Sequence, residues 1–170
     1  MDSGRKAGQF NIYSNQAETN LLYRIESYYS PMQKIDLRTY PDKKVIGRLN
    51  SHQLGIWYQA TYEIFDIRSK TNKWFNGSIK RQSTWFHDEY HVNLAERKIT
   101  MKNRAFSGRF KFYNEANSLL AMFKMRRNLL SAVTKYDLKI FSDQFPDSIY
   151  LLALAAHDNK KTAIYSHNDK

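Results

Sequence analysis

The chain has 170 residues, a formal net charge of +11 and no cysteine. That length suits one domain able to bury about 70% of its unfolded surface. The missing cysteines exclude disulfides, thiolate-bound zinc, a thiol nucleophile and S-palmitoylation. Aromatic residues make up 15% of the chain against 6 Gly and 3 Pro, a composition that builds a core and argues against disorder.

The opening residues, MDSGRKAG, are small and charged, and residues 1–8 are expected to be a flexible N-terminus ahead of one domain spanning 9–166. The start lacks the apolar run of a signal peptide, and the end, SHNDK, lacks a prenylation motif. The longest apolar run, Ile149 to Ala156, is well short of the roughly 20 residues that cross a bilayer. Cytoplasmic residence, with at most a peripheral position at the membrane, is the expectation.

From there the hydrophobic period is two. NLLYRIESYY (20–29) reads as a strand. KIDLRTYPDKKVIGRL (34–49) reads as two strands about a Pro41-Asp42 turn. A strand over 54–60 precedes YEIFDIRSKTNKWFNGSIKR (62–81), a hairpin turning at Ser69 to Asn72. HVNLAERKITMK (91–102) turns at Ala95 to Arg97, and RFKFYNEANSLLAMFKMR (109–126) turns at Asn114 to Asn117. KYDLKIF (135–141) adds a last strand. In 109–113, Phe110 and Phe112 alternate with Arg109, Lys111 and Tyr113. In 121–126, Phe123 and Met125 alternate with Met122, Lys124 and Arg126. About ten to twelve short strands predict a sandwich or a closed antiparallel barrel, because closure removes exposed edges.

The segment after Pro146 departs from this pattern. Asp147 suits the positive end of a helix, and IYLLALAA (149–156) is made largely of strong helix formers. It is apolar on every side, so it has to be covered on every side. A helix enclosed by a barrel meets that requirement. A core helix lying on one sheet face is the alternative, and it would carry a polar stripe. His157 follows this run, and a role capping the helix C-terminus is expected for it.

These features resemble the tubby C-terminal-like superfamily, and most of all its LURP-one-related and small bacterial tubby-like members, relatives of the phospholipid scramblases. The resemblance rests on the successive hairpins and on KYDLKIFSDQFPDSIYLLALAAHD (135–158), which is similar to the superfamily's terminal strand, linker, Asp and buried helix. It implies a mainly β fold, a closed antiparallel barrel of about 12 strands around a central buried C-terminal helix. It also raises lipid above other anions as a partner. The scramblases' cysteine-rich segment, their Pro-rich arm and a calcium loop have no counterpart here.

The charge has a focus. Residues 96–127 hold nine bases (Arg97, Lys98, Lys102, Arg104, Arg109, Lys111, Lys124, Arg126 and Arg127) against Glu96 and Glu115. Pairing of 109–113 with 122–126 is expected to bring Arg109 and Lys111 beside Lys124 and Arg126, with Lys102 and Arg104 on the same side of the preceding strand. Like charges facing across strands repel by up to about 1 kcal/mol per pair. Lys102, Arg104, Arg109, Lys111, Lys124 and Arg126 are therefore the candidate site for an anionic ligand: a phospholipid headgroup or another polyanion. Single-stranded nucleic acid is an alternative, with outward members of Trp57-Tyr58, Trp74-Phe75 and Trp85-Phe86 as stacking surfaces. A structural or protein-interaction module with incidental charge is the third reading. No hydrolase, zincin, P-loop or dinucleotide motif occurs, so no catalytic residue and no cofactor are expected. In HDEYH (87–91) the two histidines lie about 13 Å apart along a strand, too far to share one metal ion.

Overall fold

The computed structural model describes residues 9–15, 17–28, 33–54, 57–66, 73–83, 87–104, 107–126 and 135–165. Among the described residues, eleven strands form one antiparallel sheet: β1 (Phe10–Tyr13), β2 (Leu21–Tyr28), β3 (Gln33–Thr39), β4 (Val45–Leu54), β5 (Trp57–Phe65), β6 (Trp74–Ser83), β7 (His87–Leu94), β8 (Arg97–Arg104), β9 (Arg109–Tyr113), β10 (Leu119–Arg126) and β11 (Lys135–Ile140). Each strand pairs with the next in the chain, the arrangement that short connections favour. One helix, α1 (Asp147–Tyr165), follows.

Alternation sorts the two faces. Ile35 and Leu37, Tyr62 and Ile64, Tyr90, Val92 and Leu94, and Phe110 and Phe112 turn inward and are buried. Ser148 through His157 are buried without a break. At about 100° per residue that run covers every direction around the helix axis, so the helix is covered on all sides between Ser148 and His157. Tyr150 stacks edge-on against Phe112 of β9 at 5.1 Å. On the opposite wall, a Cβ on Gly47 of β4 would lie 3.2 Å from Leu152 Cδ1, so glycine there lets β4 approach the helix. Glycine at 77 serves a similar end on β6. The Tyr62 ring crosses it, its hydroxyl donating to the Asn93 carbonyl at 2.8 Å, and a Cβ would fall 2.3 Å from Tyr62 Cζ.

Of the expected closed barrel of about 12 strands, the described residues show an 11-stranded antiparallel sheet that hydrogen bonds do not close. Among the described residues no ladder joins β1 to β11. Side chains meet there instead. Phe10 packs edge-on against Tyr136 at 6.2 Å, and Lys135 Nζ lies 2.6 Å from Glu18 Oε1. β1 has only four residues and its register with β2 shifts between Ile12 and Tyr13, which leaves it little straight edge to pair.

Other expectations shift by smaller amounts. β5 is one strand where two were expected over 54–67, and β1 was too short to announce itself. The turns at Pro41-Asp42, Ala95-Glu96 and 114–118 stand where the turn residues put them. The turn expected at Ser69 to Asn72 and the flexible N-terminus at 1–8 lie outside the described residues. The helix continues past the apolar run to Tyr165, since nothing in DNKKTAIY is Gly or Pro. His157 is therefore not a cap. It sits inside the helix, packed on Phe110 at 4.6 Å, with Nδ1 3.1 Å from the Tyr90 hydroxyl.

Candidate functional site: a cationic outer face

The strands that line the helix with Met101, Phe110, Phe112 and Phe123 carry bases on their other side, as a period of two requires. The register decides which bases meet. Lys102 of β8 lies directly opposite Lys111 of β9. Lys111 lies opposite Met122 of β10, and Met122 opposite Lys139 of β11. In the next row Arg109 stands opposite Lys124, and Lys124 opposite Asp137. Lys102, Arg109, Lys111, Lys124 and Lys139 are all exposed. Among the described residues none of the five is ion-paired within 4.0 Å. Lys102 Nζ lies 5.8 Å from the centre of the Tyr113 ring, a weak cation–π contact that steadies its stem.

The six residues singled out from the sequence do not all join this face. Lys102, Arg109, Lys111 and Lys124 do. Arg104 is the last residue of β8, in register with His87, and its side chain lies outside the described residues. Arg126 is engaged elsewhere. Its Nε donates to Asp137 Oδ1 at 2.7 Å and its Nη1 lies 3.9 Å from Glu18 Oε1. Sequence reasoning missed this because Asp137 and Glu18 reach Arg126 from β11 and from the β1–β2 turn, far along the chain. It also missed Lys139, which lies beyond the densest basic stretch. The alternation of KYDLKI carried the signal, once β11 is known to pair with β10.

Two neighbours register the field of this surface. The Asp137 carboxyl is held below its ordinary value, first by the hydrogen bond from Arg126, against some opposition from burial, and then by the charges of Arg126, Lys124 and Lys139. His91 on β7 is also lowered. Partial burial is the main cause, followed by Lys98; Glu89 opposes it and Lys102 adds to it. Its Nε2 lies 2.8 Å from Gln82 Oε1, and Arg81 Nε donates to Asp88 at 3.0 Å. Among the described residues no group of three or more His, Asp or Glu is placed to hold a metal ion.

Among the described residues the aromatic pairs do not build a platform here. Tyr58 is buried, and Phe75 is half-buried against the core. Trp74 is exposed, but it lies on β6 beneath the Arg48 guanidinium, 5.2 Å from its ring centre and away from the cationic face. The Trp57 side chain, Trp85 and Phe86 lie outside the described residues.

A single antiparallel sheet wrapped on a buried C-terminal helix is the architecture expected of a tubby-like domain. The LURP-one-related family model matches residues 2–157, and the chain belongs to that family. Comparison with curated proteins and with solved structures gave no significant match. Among the described residues, no helix is long and apolar enough to cross a membrane.

Proposed function

We propose that this LURP-one-related domain is a non-enzymatic module that attaches reversibly to membranes through anionic lipid headgroups. The observation that carries the reading is the pairing of like charges on one open face: Lys102 against Lys111 and Arg109 against Lys124, with Lys139 alongside. Such pairs repel, and an anionic surface offsets the repulsion. An array of ammonium and guanidinium groups on neighbouring strands suits several headgroups at once. Each base near an anionic bilayer contributes about 1 kcal/mol, so five give a dissociation constant of roughly 0.2 mM. That describes peripheral, salt-sensitive attachment. The resemblance to tubby and scramblase proteins favours lipid over other polyanions.

The test is cosedimentation with phosphatidylserine-containing vesicles. Lys111→Glu combined with Lys124→Glu is expected to weaken binding at least tenfold, and unchanged sedimentation would sink the proposal. Tighter binding of single-stranded DNA than of vesicles in the same buffer, with a steep log–log salt dependence, would favour the nucleic-acid reading. Binding to neither would leave the protein-interaction reading.

A further inference from the structure

The cationic face ends in an apolar corner. Phe141 is 54% exposed, Ile140 37% and Leu119 36%. The Phe141 amide donates to the Leu120 carbonyl at 2.8 Å, which holds the segment after β11 against the start of β10. Phe141 follows Lys139 by two residues, so on an extended chain they share a side about 7 Å apart. Met122 stands opposite Lys139 and beside Lys111 across the ladder. Apolar and cationic groups are thus neighbours on one surface. Among the described residues, the other exposed large apolar ones, Leu22, Tyr28 and Trp74, stand apart from it on β2 and β6.

Scattered apolar residues on a surface are ordinary. A cluster bordered by unpaired cations matches what interfacial binding requires, an apolar part that enters the headgroup–acyl boundary and bases that hold the anionic headgroups above it. We propose that Leu119 and Phe141 form such a wedge, seated in an anionic bilayer while the β8–β11 bases engage its headgroups. The inference rests on the lipid reading above and adds the depth and orientation of docking. Charge selects this occupant over a second copy of the chain, which would set the same lysines against each other.

The absence of cysteine makes the test site-specific. Phe141→Cys, labelled with an environment-sensitive fluorophore, is mixed with phosphatidylserine vesicles; Thr61→Cys on the outer face of β5 is the control. Label at 141 is expected to shift to the blue and to be quenched by lipids brominated high on the acyl chain, while label at 61 stays water-like. Leu119→Ser combined with Phe141→Ser, at exposed positions, is expected to melt like the parent and bind vesicles about tenfold more weakly, with its salt dependence kept. If the protein sediments with vesicles but label at 141 stays water-like, the wedge is wrong and the lipid reading stands. If it sediments with no anionic vesicle, the lipid reading fails and the wedge with it. A blue shift without vesicles that grows with protein concentration would assign the corner to a second copy and overturn the wedge.

Discussion

The outer faces of β2–β5 and of β8–β11 are built from the same strand geometry and differ in how they treat charge. On β2–β5, Glu26, Asp36, Arg48 and Glu63 stand in one cross-strand row. Arg38 lies 2.9 Å from Glu26 and 2.8 Å from Asp36, and Arg48 is 3.7 Å from Glu63. The corresponding row on β8–β11 reads Lys102, Lys111, Met122, Lys139. One face joins its charges in ion pairs; on the other, Lys102 meets Lys111 and Arg109 meets Lys124, and among the described residues none of these bases lies within ion-pair distance of an acid, although Glu89 and Asp137 stand in register with Lys102 and Lys124. Solubility asks for net charge but not for its concentration on neighbouring strands. The contrast between the faces is therefore more informative about function than the net charge of +11.

The largest effects should come from the interior that backs both faces and does not share their asymmetry. Leu152, fully buried, faces the β4 wall, and Tyr150, also fully buried, packs on β9. Leu152→Lys and Tyr150→Lys are each expected to unfold or severely destabilise the protein, since an unpaired charge there costs several kcal/mol against a typical stability of about 5–15 kcal/mol. Ala153→Lys should do the same from another side of the helix. Thermal melts of a lysine scan over 149–156 decide the matter. Tolerance recurring every three to four residues would mean that one side of the helix is open.

Intermediate effects should come from charge reversal, with opposite signs on the two faces. Lys111→Glu places an acid against Lys102, and is expected to raise stability by about 0.5–1 kcal/mol while vesicle binding falls. Glu63→Lys sets a base against Arg48, and is expected to lower stability by about 0.5–1 kcal/mol with little change in vesicle binding. Both stability effects should shrink at about 1 M salt, where the screening length is near 3 Å. Denaturant melts at two salt concentrations read them. Equal signs on the two faces would erase the distinction drawn between them.

How far the sequence carried this picture depended on what was local. Hairpins whose turns hold Pro41-Asp42 or Asn114 to Asn117 were legible, because turn chemistry and alternation lie within a few residues of each other. The enclosed helix was legible because Ile149 to Ala156 shows no polar side, and a helix without one has to be covered all round. The seam was not legible, because whether β1 and β11 join by backbone or by Phe10 and Tyr136 depends on residues over a hundred positions apart. The same limit divided the site. Lys102, Arg109, Lys111 and Lys124 followed from alternation and hairpin pairing. Arg126 was misjudged because its partners Asp137 and Glu18 come from outside its hairpin, and Lys139 was missed because the β10–β11 pairing spans a gap that sequence alone does not close.

The smallest effect tests Asp137, an acid set within the cationic face. Its carboxyl lies below the ordinary value of 3.8, chiefly through the Arg126 hydrogen bond. The folded state therefore favours the ionised form more than the unfolded state does. The resulting stability is present above the ordinary carboxylate range and is lost as pH falls through the lowered value. Asp137 and Arg126 are each about a third exposed, so the pair contributes about 1 kcal/mol at most. Asp137→Asn is expected to lower stability by that amount near neutral pH, and the difference from the parent should vanish in strong acid. Removing the acid also leaves the face more cationic, and binding to phosphatidylserine vesicles should tighten about fivefold. The two readouts move in opposite directions only if Asp137 restrains an anion-binding surface. If vesicle binding instead weakens in step with stability, Asp137 supports the fold alone and the charge asymmetry between the faces has no bearing on membranes.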